Sequence, residues 1–107
     1  IVRVYDEGLQ QTDTAIEEAR KLVSEKPDDA AYRSTLGRLL EKKEDWPGAL
    51  EQYSAMTSAP ERSAQTFAYA QKGAVQEKMG KTEDAIASYK SALEIRPDYS
   101  IRSAGFT

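Results

Sequence analysis

Gly80-Lys81-Thr82-Glu83-Asp84-Ala85-Ile86-Ala87-Ser88-Tyr89-Lys90-Ser91-Ala92-Leu93-Glu94-Ile95-Arg96-Pro97 is the stretch that decides the fold. Ala85-Ile86, Tyr89 and Ala92-Leu93 stand at i, i+1, i+4, i+7 and i+8, the spacing of one apolar face of an α-helix. The polar turn Gly80-Lys81-Thr82 precedes that face, with Thr82 as the expected N-cap, and Pro97 ends it. The same pattern occurs twice more. Ala15-Ile16, Ala19 and Leu22-Val23 follow Gln10-Gln11-Thr12, and Ala49-Leu50, Tyr53 and Met56 follow Glu44-Asp45-Trp46-Pro47. Thr12 is read as an N-cap, Pro47 as a first-turn proline, and Pro27 as the stop of the first helix. No β-structure is expected.

The three faces are in register. Ala15, Ala49 and Ala85 are separated by 34 and then 36 residues, and Pro27 and Pro97 by 70. The two extra residues fall around Ala59-Pro60-Glu61-Arg62-Ser63-Ala64-Gln65 and are expected to lengthen the turn there.

A helix–turn–helix unit of about 34 residues is the length of the tetratricopeptide repeat, whose pattern runs W-x₂-L-G-x₂-Y, then A-x₃-F, then Pro. The chain resembles that family over most of its length. Leu36-Gly37, Leu40, Ala49 and Tyr53 carry the likeness in the middle unit, where Arg33 takes the place of the Trp beside Tyr32. Tyr69, Gly73, Ala85, Tyr89 and Pro97 carry it in the last unit, which departs at Lys72 and Gln76. The first unit keeps Ala15, Ala19 and Pro27, and its first helix is at most the fragment Ile1–Gly8. The resemblance implies an all-α domain of antiparallel helix–turn–helix repeats stacked into a right-handed superhelix. Its units are a partial repeat at about 1–29, repeats at about 30–63 and 66–99, and a tail at 100–107. Six helices are expected, counting the short first one. Small residues at Gly37, Gly73, Ala49 and Ala85 are expected to let paired helices approach, with Tyr53 and Tyr89 filling the space between them.

Composition restricts the chemistry. The 107 residues carry a net charge of −3, with 31% charged and 39% hydrophobic residues, which suits a globular domain and not a phosphate-binding surface. With no Cys there is no disulfide or thiolate chemistry, and with no His the commonest general base and zinc ligand are missing. No apolar run has the length of a membrane span. The chain starts at Ile1 and is read as a segment of a longer protein, so no compartment is expected from its own residues beyond the cytoplasm as a default. No cofactor or metal is expected, and no enzymatic site, since no nucleophile–base pair is visible.

Several motifs resolve into structural roles. Gly73 and Gly80-Lys81-Thr82 form G-x₆-G-K-T, whereas a phosphate loop requires G-x₄-G-K-[ST]. Glu17-Glu18 belong on a solvated helix side, and Glu83-Asp84 in a first turn, where the helix dipole favours acids. Trp46 is expected to pack at the start of its helix. Arg20-Lys21 and Lys42-Lys43 are too sparse for nucleic acid.

The resemblance also implies where a partner lies. First helices of successive repeats line a concave groove in this family. The corresponding positions in the middle unit are Ala31, Ser34, Arg38, Glu41 and Lys42. In the last unit they are Phe67, Ala70, Gln71, Ala74, Glu77 and Lys78, and the first unit adds Val4 and Glu7. Phe67 is read as a large apolar residue off the core stripe, and Arg38 and Lys42 as cations one turn apart that suit an acidic ligand. The expected function is a protein-interaction scaffold that binds a partner helix or extended peptide. Its rivals are a self-associating assembly module and a regulatory segment of a larger enzyme. Self-association is expected through an uncapped C-terminal end where Ile86, Tyr89 and Leu93 leave apolar surface open. A clamp for acidic chaperone tails is not expected, because the chain has no Asn and carries Phe67 and Gln71 where that clamp uses Lys and Arg.

Overall fold

A computed structural model describes residues 2–98, with side chains from residue 11 onward. Five helices follow in order: α1 (Val2–Glu25), α2 (Ala30–Lys42), α3 (Trp46–Met56), α4 (Arg62–Lys78) and α5 (Thr82–Ile95). The described residues contain only helices and the turns between them. Three-residue turns fold α3 back on α2 and α5 back on α4, giving two antiparallel hairpins. Each helix packs against the next, and α2 also touches α4.

The helices begin and end for local reasons. Asp29 caps α2 by accepting from the Tyr32 amide at 3.1 Å, and Asp45 caps α3 through the Gly48 amide at the same distance. Pro47 sits in the first turn of α3, where its missing N–H costs nothing. Glu83 and Asp84 occupy the first turn of α5. Arg62 reaches from the start of α4 to donate to the Ile95 carbonyl at 2.5 Å, satisfying an orphan acceptor at the end of α5.

Four local expectations are corrected. The backbone is helical without a break from Val2 to Glu25, so there are five helices, and Thr12 lies inside a helix instead of capping one. No Pro or Gly falls between Leu9 and Lys26 to interrupt it. The cap of α5 is Lys81, and Thr82 is the first helical residue. The left-handed Gly80 turns the chain one step earlier, and the Lys81 amide is already satisfied by the Gln76 carbonyl at 2.8 Å. The two extra residues go mostly into helix: α4 has 17 residues against 13 in α2, while the turn before it has only one more residue than the turn before α2. Finally, Leu22 is 39% exposed, although it belongs to the apolar pattern of α1.

The core runs along the seams. Leu36, Leu40, Ala49, Tyr53, Met56, Ala68 and Val75 are all nearly inaccessible, and Ile16 and Ala19 extend the cluster into α1. Trp46 packs against it, as expected. Tyr89 is only 2% exposed, so it is not part of an open C-terminal face; it is closed in the α4–α5 seam. Ser100–Thr107 lie outside the described residues.

The helix pairs close on two glycines. A Cβ at Gly37 would stand 2.8 Å from Cζ of Tyr53, and one at Gly73 would stand 2.6 Å from Cε1 of Tyr89. The turns 36 residues apart are also equivalent: Gly80 has φ 77° and Glu44 has φ 58°. The left-handed conformation costs a non-glycine residue about 1–2 kcal/mol. Two substitutions therefore have opposite signs. Gly37→Ala gains up to about 1 kcal/mol of helix propensity, but is expected to destabilise by about 1–3 kcal/mol because it collides with the Tyr53 ring. Glu44→Gly is expected to stabilise by about 0.5–1.5 kcal/mol. Urea unfolding of the two variants beside the parent checks both signs.

Candidate functional site

The face shared by α2 and α4 begins from the buried tyrosines. Tyr53 is fully inaccessible, so its hydroxyl needs a partner. It donates to Oε2 of Glu41 at 2.5 Å. Tyr89 donates in the same way to Oε1 of Glu77, 36 residues further on. Glu41 and Glu77, read as partner contacts, thus each carry a structural hydrogen bond as well. Burial, and then the Glu41 carboxylate, push the Tyr53 hydroxyl far above its ordinary pKa, while Arg38 pulls in the other direction.

Phe67 is built into this arrangement. Its ring meets Tyr53 edge-on at 6.3 Å and 79° and packs against the core cluster, so it does not stand off the core as expected. Period alone put it outside the stripe; the packing of α4 against α3 as well as α5 brings it in. The Arg38 guanidinium also lies over the ring, 5.5 Å from its centre. Of the remaining positions, Lys42 and Lys78 are exposed at the ends of α2 and α4, and Ser34, Gln71 and Ala74 are half-buried. Ala70 is only 7% exposed and belongs to the core, so it is corrected from contact residue to packing residue. Val4 and Glu7 have side chains outside those described.

A cleft of about 1000 Å³ opens beside this face, where α2 and α4 begin, α3 ends and the turn after α1 passes. Ala31, Ser34 and Phe67 line it together with Met56, Ala59 and residues of the connecting turns. Sequence reading missed the cleft. Its one signal was the two-residue insertion, which lengthens α4 and moves its start away from the start of α2. Two departures from the repeat pattern are also accounted for. Arg33 donates to the Pro27 carbonyl at 2.7 Å and to Oε1 of Gln52 at 2.9 Å, bracing the end of α1 against α3. Gln76 is buried, and its Oε1 accepts from Ser88 at 2.6 Å. No described helix is long and apolar enough to cross a membrane.

Residues 66–99 match the family model of the tetratricopeptide repeat. No curated protein matches the chain. Residues 66–99 therefore carry a tetratricopeptide repeat, and the stacked helical hairpins of the described residues have the packing expected of such a repeat. Repeats of this class are in general modules for protein–protein interaction.

The Tyr53–Glu41 bond has a pH signature. Folding holds the phenol neutral, so the stability it contributes is intact below about pH 10 and lost as pH rises further, by up to about 1.4 kcal/mol per unit. Tyr53→Phe is expected to lower stability at neutral pH, because it removes a buried hydrogen bond, yet to flatten the alkaline loss. Urea midpoints measured from about pH 8 to 11 in both proteins check the crossover; parallel curves contradict it.

Proposed function

We propose that α2 and α4 form the wall against which a partner segment, helical or extended, is held. The observation that carries this reading is the Arg38–Phe67 stack. It presents an exposed guanidinium on an aromatic ring at the place where two first helices of successive hairpins touch. Among the described residues α1, α3 and α5 make no contact with one another. The array is therefore pinched on the α2–α4 side, the geometry of an inner wall. The two ion pairs among the described residues are Lys43–Asp13 and Arg96–Asp98. Arg38, Lys42 and Lys78 take part in neither and outnumber Glu41 and Glu77, whose carboxylates accept the tyrosine hydroxyls, which leaves this stretch of wall net cationic and suited to an acidic segment with an apolar residue beside Phe67.

The wall is tested by site-specific photo-crosslinking. A photoreactive residue in place of Arg38 or Lys42 is expected to capture a partner, and one in place of Glu51 on α3 or Lys90 on α5 is not; all four positions are exposed. Equal capture from α3 and α5 overturns the assignment. Arg38→Glu with Lys42→Glu should weaken binding by about tenfold or more at unchanged helix content. Phe67→Ala should weaken binding too, but it also removes the edge-on contact with Tyr53 and should cost about 1–3 kcal/mol of stability.

A further inference from the structure

The cleft beside the wall has a charge of its own. Its floor is apolar, made by Met56, Ala59 and Phe67, and its rim carries Asp28, Asp29 and Glu61. Arg33 is the one basic residue lining it, and that guanidinium is engaged by the Pro27 carbonyl and Gln52. Neither ion pair of the described residues involves the rim. The side chain of Glu61 caps nothing, although Glu61 stands at the N-cap of α4. The helix dipoles do not reverse this sign. The positive N-termini of α2 and α4 open on the cleft, opposed by the negative C-terminus of α3, and each amounts to only about half a charge beside the full charges of the rim carboxylates. Asp28 and Glu61, with the capping Asp29 beside them, stand against one committed guanidinium and decide the field.

Resting on the wall reading above, we propose that this cleft receives an apolar side chain of the partner segment whose flanking residue is Lys or Arg. The apolar chain enters between Met56 and Phe67, and the cation pairs with Asp28 and Glu61 on the rim. The bound segment is then bipolar. Its basic residue lies at the start of α2 and α4, and its acidic residue lies toward Arg38 and Lys42. Phe67 belongs to both surfaces, so one segment spans them, and the charges set its direction.

The chain carries its own reporters. Its two methionines are Met56 in the cleft and Met79 at the far end of α4. Methionine-methyl NMR of the whole chain is followed while short synthetic peptides are added, each with one Leu flanked by Lys, by Gln or by Glu. The Lys-flanked peptide is expected to move Met56 and leave Met79 in place, with an affinity that falls as salt is raised. Asp28→Asn with Glu61→Gln, both at exposed positions, should weaken that peptide by about tenfold and leave the Gln-flanked peptide unchanged. Equal binding of the Lys- and Glu-flanked peptides at Met56 overturns the proposal, as does a Met56 signal that no peptide moves. A Met56 signal that moves with protein concentration alone also overturns it and assigns the cleft to a second copy of the chain. Binding of the Glu-flanked peptide that leaves Met56 still overturns the cleft but leaves the α2–α4 wall standing, because the wall is judged separately by crosslinking.

Discussion

The paired helices of each hairpin close where a helix backbone meets a tyrosine ring, and this happens twice. At Gly37 and at Gly73 a side chain of even one carbon would overlap the ring opposite. Glycine costs a helix about 1 kcal/mol relative to alanine. Here that cost is offset by burying Tyr53 and Tyr89, each worth more than an aliphatic side chain in contact area. Once the ring is inside, its hydroxyl must be satisfied, and a carboxylate one turn beyond the glycine does so. Glycine, glutamate and tyrosine thus form one device at 37, 41 and 53, repeated at 73, 77 and 89.

That device joins the core to the surface. Tyr53 supports the edge of Phe67, Phe67 supports Arg38, and Glu41 holds the tyrosine from the outer side. A face built this way is pre-organised: its aromatic and its cation are held before a partner arrives, which lowers the ordering cost of binding. The same coupling means that at Phe67 the proposed recognition role is not separable from stability, whereas at Lys42 and Lys78, which project into solvent, it is.

Neither hairpin encloses its core alone. The cluster around Tyr53 draws on α1, α2, α3 and α4, from Ile16 to Val75. Stability of this kind is a sum over neighbours, and small changes at one junction alter the spacing of the next. The junction between α3 and α4 is the irregular one. There α3 stops early, α4 starts early, and the space left at their ends is the cleft. Irregularity at one seam of a regular array is where a repeat protein acquires a surface its other seams lack.

Much of this was legible in the residues. The helical period of Ala49, Tyr53 and Met56, and of Ala85, Tyr89 and Ala92, marks the second helices, because a 3.6-residue period is a property of the chain itself. The repeat distance follows from equal spacing, and the glycine–tyrosine pairing from the need for small residues where helices meet. Other features were decided only by tertiary structure. Thr12 has a cap's chemistry, but a cap acts only where the chain turns, and nothing nearby turns it. Phe67 and Ala70 look external by period, yet α4 packs on both α3 and α5, and helices with two packed sides bury more than one stripe. Glu41 and Glu77 look like free surface acids until the hydroxyl that needs them arrives from another helix. The sequence by itself determined that the chain is helical, how often its second helices recur, and where paired helices can touch, because those depend on neighbours along the chain. Which side chains remain available to a partner, and the cleft between successive hairpins, were settled only by how the helices cross, because those depend on neighbours in space.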